Sequence, residues 1–127
     1  SVANPVDIPA NVMQRQNGDF VRELLVRVFE HAGPDAIVIH VNVPVVLGYR
    51  HVDLLEILLN STLAAASGRA HVVLALRSDG EPEIETAKAR MRTQALARGI
   101  AVYDELGEAA GALAALAHYE RTASNRR

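Results

Sequence analysis

Cysteine is absent from this chain, which excludes disulfides, thiolate catalysis and cysteine-ligated zinc. Lysine occurs once, at Lys88, in the middle of an expected helix and away from the strand ends. A pair of grasping lysines for nucleotide phosphates cannot be assembled from it. No apolar run approaches the roughly 18–20 residues that span a bilayer. The opening Ser1-Val-Ala-Asn-Pro5 has neither the basic region nor the apolar stretch of a signal peptide. Charge of one sign is not in excess either. The formal net charge is −2, so composition offers no basic groove for nucleic acid and no cationic surface for an anionic membrane. A soluble, cytoplasmic protein is the expectation.

Several sequence signatures are missing too. The histidines, His31, His40, His51, His71 and His118, form no i,i+4 pair and no HExxH, so a metal site is not expected. No GxSxG, GxGxxG or Walker A loop occurs. What is present is a chain of 127 residues that is 50% hydrophobic, enough for one globular core.

Residues 1–18 are rich in turn formers, with at most a short strand near Val6–Ile8. Asp19 is placed to cap a helix in which Phe20, Leu24 and Val28, and also Leu25 and Phe29, recur at helical spacing. Arg22, Glu23, Arg27 and Glu30 fall on the other side, and Gly33-Pro34 ends the helix. Ala36–Val43 reads as a strand buried on both faces, hence central in a parallel sheet. Pro44–His51 reads as a loop. A helix follows over Val52–Ala66, then a second buried strand at His71–Arg77. Pro82 opens a third helix that reaches about Arg98. Ile100–Tyr103 is a short third strand, and an Ala-rich helix runs on to about Glu120. One domain over residues 1–121 and a frayed tail over 122–127 are expected. Alternating strands and helices imply a mostly parallel sheet, cored by Ile37–Val41, Val72–Leu76 and Ile100–Val102, with helices on both faces.

Ligands of open parallel sheets bind beyond the carboxyl ends of the strands. That rule selects Asp7–Ala10, Asn42–His51, Arg77–Gly80 and Tyr103–Glu105. The second segment holds the candidate site: Asn42, Gly48, Tyr49, Arg50 and His51, leading into a helix whose first N–H groups attract anions. Arg50 has the charge to pair with a phosphate, and His51 the chemistry to exchange a proton near neutral pH. An ordinary strand-to-helix loop with solvated polar residues accounts for the same pattern. Asp79 and Asp104 follow strands and are more often turn formers or caps than catalytic acids. His40 and His71 read as core or edge residues; His31 and His118 fall in last turns of helices. The Val52–Ala66 helix is apolar nearly all round, through Val52, Leu54, Leu55, Ile57, Leu58, Leu59 and Leu63. It needs a second cover besides the sheet, either a neighbouring helix or another domain or subunit.

Taken over residues 4–121, the chain resembles the second flavodoxin-like domain of nucleoside-diphosphate-forming acyl-CoA synthetases, relatives of succinyl-CoA synthetase. The resemblance lies in the opening Asn4-Pro-Val-Asp7, the strand Asp35-Ala-Ile-Val-Ile-His-Val41, the segment Ala97-Arg-Gly-Ile-Ala-Val-Tyr103 and the closing helix from Glu108 to Arg121. It implies an α/β, flavodoxin-like three-layer sandwich. It also implies a ligase assembled from several domains: a CoA-binding domain, a phosphohistidine domain, an ATP-grasp module, and a domain of the present kind whose helix N-terminus, here near His51–Asp53, faces the phosphohistidine. CoA, nucleotide and magnesium then belong to the parent enzyme, none is bound by this domain alone, and no residue here is catalytic. The partners implied are those other domains or subunits, with a homo-oligomer possible and neither nucleic acid nor membrane involved. Where such relatives carry adjacent glycines, this chain reads Val43-Pro-Val-Val-Leu-Gly-Tyr-Arg50, which leaves less room for backbone amides to approach a phosphate. Two other readings fit the residues: a non-catalytic interaction module, and a small-ligand or nucleotide-binding domain that uses its strand ends.

Overall fold

The structure, a computed structural model, describes residues 5–13, 15–49 and 53–125. Three parallel strands form its sheet: β1 (Ala36–Asn42), β2 (His71–Arg77) and β3 (Ala101–Tyr103), in the order β1-β2-β3. The register sets Ile37 beside Val72, Ile39 beside Leu74, Val41 beside Leu76, and Leu74 beside Val102. Side chains alternate between the faces of a sheet, so these residues share one face. They make the main core there with helices α4 (Leu54–Ala66) and α5 (Pro82–Ala97), through Leu55, Leu59, Ala87, Met91 and Ala95. Helix α6 (Leu106–Asn125) runs against all three strands.

The parallel pairing expected from the alternation of elements is present. The position of β1 is not the one expected. Only β2 has a neighbour on each side, and Val73, Leu74, Ala75 and Leu76 are all buried. β1 is an edge strand of the described sheet: Ile39 and Val41 are buried, while His40 and Asn42 are exposed. A β-branched run declares that a strand can be buried on both faces. Which strand is central depends on the crossovers, and here α4 and α5 carry the chain in the same direction.

The segment before β1 also differs from expectation. Val6–Ile8 forms no strand. Pro9 instead starts a helical turn, α1 (Ala10–Met13), its carbonyl accepting from Val12 N at 2.9 Å and Met13 N at 3.2 Å. A 3-10 turn follows over Arg15–Gly18. Helix α2 (Asp19–Ala32) begins one residue earlier than a cap at Asp19 requires. Gly18, at φ 90°, holds the cap position, and Asp19 is the first helical residue, paired with Arg22 at 3.6 Å. Gly33 ends α2 as expected, with φ 54° and its N–H on the Phe29 carbonyl at 3.1 Å.

Two further helices correct the sequence reading. Val43–Leu47 is a short helix, α3, rather than loop, because Pro44 falls in its first turn where a missing N–H costs nothing. Helix α6 runs on through Thr122 to Asn125, so the described part of the segment expected as a tail is helical; Arg126 and Arg127 lie outside the described residues. His118 consequently lies inside α6 rather than in its last turn; Thr122 Oγ1 donates to its carbonyl at 2.9 Å. Among the described residues, no helix is long and apolar enough to cross a membrane.

α4 is covered on two sides within the molecule. Leu55, Leu59 and Leu63 pack into the sheet core, and Leu54, Ala65 and Ala66 pack against Val21, Leu25 and Phe29 of α2, with Leu58 touching both clusters. The second cover is a neighbouring helix, so the surplus of leucines gives no support to a contact with another molecule. Asp53 caps α4 by accepting from Glu56 N at 2.9 Å. At the other end, Ser67 takes φ 47°, and Arg69 donates to the Ala65 and Ala66 carbonyls while lying 5.3 Å from the centroid of the Phe29 ring.

Candidate functional site

The carboxyl edge of the sheet gathers Asn42, Arg77, Ser78, Tyr103 and Asp104. Asn42 ends β1, is exposed, and stands at the cap position of α3 without a side-chain capping bond. Gly48 closes α3 in an ordinary right-handed conformation, its N–H donating to Val45 O at 3.1 Å. A Cβ there would meet that same carbonyl at 3.2 Å, so the glycine relieves a tight helix end and does not open a cradle. Tyr49 does not stand free at the edge. It is half-buried and packs on the α2–α4 cluster. Arg50 and His51, the two residues given the chemistry in the sequence reading, lie outside the described residues, as does Val52. Asp7–Ala10 drops out of the edge, since no strand precedes it among the described residues and Ile8 and Ala10 pack on the α2–α4 cluster.

The start of α4 carries two carboxylates, Asp53 at the cap position and Glu56 in the first turn. Asp53 satisfies the Glu56 amide, and Gln94 of α5 donates to Asp53 Oδ2 at 3.4 Å. The Glu56 carboxylate accepts from Gln94 and pairs with Arg98, which also donates to Asn60. This network ties α4 to α5. Carboxylates thus stand where helix N-termini usually welcome an anion, the charge of Glu56 balanced by Arg98.

The end of β3 departs from expectation in a different way. Lys88, placed by its sequence position away from the strand ends, reaches one of them: its ammonium lies 2.8 Å from Asp104 Oδ1, and Arg92 lies 2.7 Å from the same oxygen. Asp104 is therefore an ion-pair partner rather than a turn former. The hydrogen bond from Lys88 does most to hold its carboxyl below the usual carboxylate range; partial desolvation opposes this, and the charges of Lys88 and Arg92 add to the lowering. The signal that could have revealed the pair was the Lys88/Arg92 spacing of four, which puts both cations on one flank of α5. Asp79, by contrast, acts as a turn former: its side chain accepts from Glu81 N at 3.0 Å. Ser78 donates to Glu85.

Away from this edge, a cleft of about 390 Å³ opens at the amino ends of β2 and β3 beneath α6, lined by Leu63, Val73, Ile100, Leu113 and Leu116 among others. His71, at its border, pairs with Glu120 of α6 at 2.9 Å. Among the described residues no group of three or more histidine, aspartate or glutamate side chains is arranged to hold a metal ion. Comparison with known protein families, with curated proteins and with solved structures gives no match.

Proposed function

We propose that this chain is a domain of a nucleoside-diphosphate-forming acyl-CoA synthetase, working in the cytoplasm as a non-catalytic part that packs against CoA-binding, phosphohistidine and ATP-grasp partners. The observation that carries the reading is the resemblance spread over residues 4–121, from Asn4-Pro-Val-Asp7 to the helix ending at Arg121. The parallel α/β layout agrees with it at the level of fold class. We extend the fold to a flavodoxin-like three-layer sandwich. Its support is that α4 and α5 cover the Ile39–Leu74–Val102 face while α6 crosses all three strands. In this reading CoA, nucleotide and magnesium are held by the partners, and the helix N-terminus near His51–Asp53 faces the phosphohistidine, with Asn42, Gly48, Tyr49, Arg50 and His51 at the edge of that site.

One observation favours a second reading. Asp53 at the cap and Glu56 in the first turn place carboxylates at the start of α4, which suits a pure interaction module better than a helix that receives a phosphate. The two readings separate in a reconstitution. The chain is mixed with purified CoA-binding, phosphohistidine and ATP-grasp modules, nucleoside triphosphate, magnesium, CoA and a panel of carboxylic acids. Thioester formation that requires the chain, with no turnover by the chain alone, supports the ligase domain. Thioester formation indifferent to the chain, or acid-labile phosphate on the chain by itself, removes that reading.

A further inference from the structure

Helix α6 lies on the sheet without joining its core. Of its 20 residues Ala109 alone is buried, and none belongs to either core cluster. Alanine favours the helix but brings little side chain to fill the space beneath it. Leu113 and Leu116 are half-buried and line the cleft of about 390 Å³ that remains. Close-packed interiors hold few voids larger than a water molecule, and sites for small molecules run from about 300 to 1,000 Å³. This cleft therefore has the dimensions of a ligand site. Its walls are largely apolar: Leu63 of α4, Val73 of β2 and Ile100 before β3 on one side, and Ala112, Leu113 and Leu116 of α6 on the other.

The polar side chains of the lining are those of His71, Arg98 and Tyr103, and no carboxylate is among them. Arg98 is engaged in the tie between α4 and α5, where it pairs with Glu56 and donates to Asn60. His71 has a different partner. At the border of the cleft its Nε2 stands 2.9 Å from the Glu120 carboxylate, with the two side chains 47% and 53% exposed. The chain thus shows which group His71 accepts beside the apolar walls. A pair as exposed as this one contributes little. A ligand that brings its own carboxylate and also buries an apolar body gains what Glu120 cannot supply.

We propose that the cleft beneath α6 binds a small apolar monocarboxylate. Its hydrocarbon part lies between Leu113 and Leu116 of α6 and the Leu63–Val73–Ile100 wall, and its carboxylate takes the place of Glu120 on His71. The occupied cleft completes the packing of α6, and Glu120 is the internal competitor that sets the affinity. The site lies at the amino ends of the strands, opposite the carboxyl edge, so the inference goes beyond the ligase reading and stands without it.

The test uses the whole chain and three probes of equal chain length: octanoate, octanol and octylammonium. Octanoate is expected to shift the Leu63, Ile100, Leu113 and Leu116 methyl signals and the His71 ring signals in an NMR titration. Octylammonium binds at least about fivefold more weakly, and octanol falls between them. His71→Ala weakens octanoate by about two- to fivefold, the range an exposed pair supports, and Glu120→Gln strengthens it by a similar factor. Both changes are at exposed side chains, and circular dichroism stays that of the parent. Ala112→Phe, which fills the cleft from the α6 side, abolishes the shifts. The proposal is overturned by any of four results: octanoate shifts that are missing or located elsewhere, octylammonium binding as tightly as octanoate, affinity unchanged or reduced by Glu120→Gln, or binding indifferent to Ala112→Phe.

Discussion

Gly18 and Asp104 show how single positions serve this fold. Gly18 holds φ 90°, and a Cβ on it would stand 2.5 Å from Ile57 Cγ2. Its carbonyl also accepts from Ser61 Oγ at 3.4 Å, so the turn before α2 lies directly on α4. Gly18→Ala combines a left-handed backbone with an overpacked contact and is expected to destabilise by about 1–3 kcal/mol, read as a lower urea midpoint with an unchanged slope. Asp104 is 55% exposed, so its ion pairs contribute modestly, but their pH dependence has a definite sign. Its carboxyl is lowered in the fold, so the stabilisation is present in full above the ordinary carboxylate range, near about pH 4. It is lost as pH falls through the lowered value. Asp104→Asn is expected to be less stable than the parent at pH 7, with the gap closing toward pH 3. A gap of constant size across that range would mean the carboxylate is not what matters.

Helix α2 illustrates what a periodic pattern leaves open. Leu24 and Leu25 are adjacent, chemically identical, and both fit an amphipathic helix. Only Leu25 enters the core against α4. Leu25→Ala is therefore expected to cost about 2–5 kcal/mol, whereas Leu24→Ala is expected to cost less than about 1 kcal/mol. Denaturant unfolding of the two variants compares them directly, and equal losses would place both leucines in the core. Helix α4 teaches the complementary point. Its leucines pointed nearly all round because it lies between the sheet and α2, with Leu59 fully buried on one side and Leu54 on the other. A helix that is apolar on two sides requires two covers, and nothing local says whether the second belongs to the same chain.

At the scale of the molecule, the carboxyl edge brings Asn42, Ser78 and Asp104 to one end of the sheet, and several of its described charged groups are engaged with one another. Lys88 and Arg92 neutralise Asp104, Glu85 accepts from Ser78, and Asp53 and Glu56 occupy the start of α4. Of the candidate site, the sequence made the location legible, since strand ends follow from the order of elements. It did not show that Tyr49 turns inward, because that depends on α2 and α4 meeting beneath it. By itself the sequence determined the parallel α/β class, the three strands to within a residue or so, and the helix stops at Gly33 and Ser67-Gly68. These follow from local causes: period, β-branching, proline and glycine backbone limits. The tertiary structure alone decided that β2 rather than β1 is central, that Val21, Leu25 and Phe29 rather than Phe20, Leu24 and Val28 form the core stripe of α2, and that Lys88 reaches the end of β3. Each of these depends on which way successive crossovers carry the chain and on how far one helix stands from the next, and those are distances between residues that no local pattern encodes.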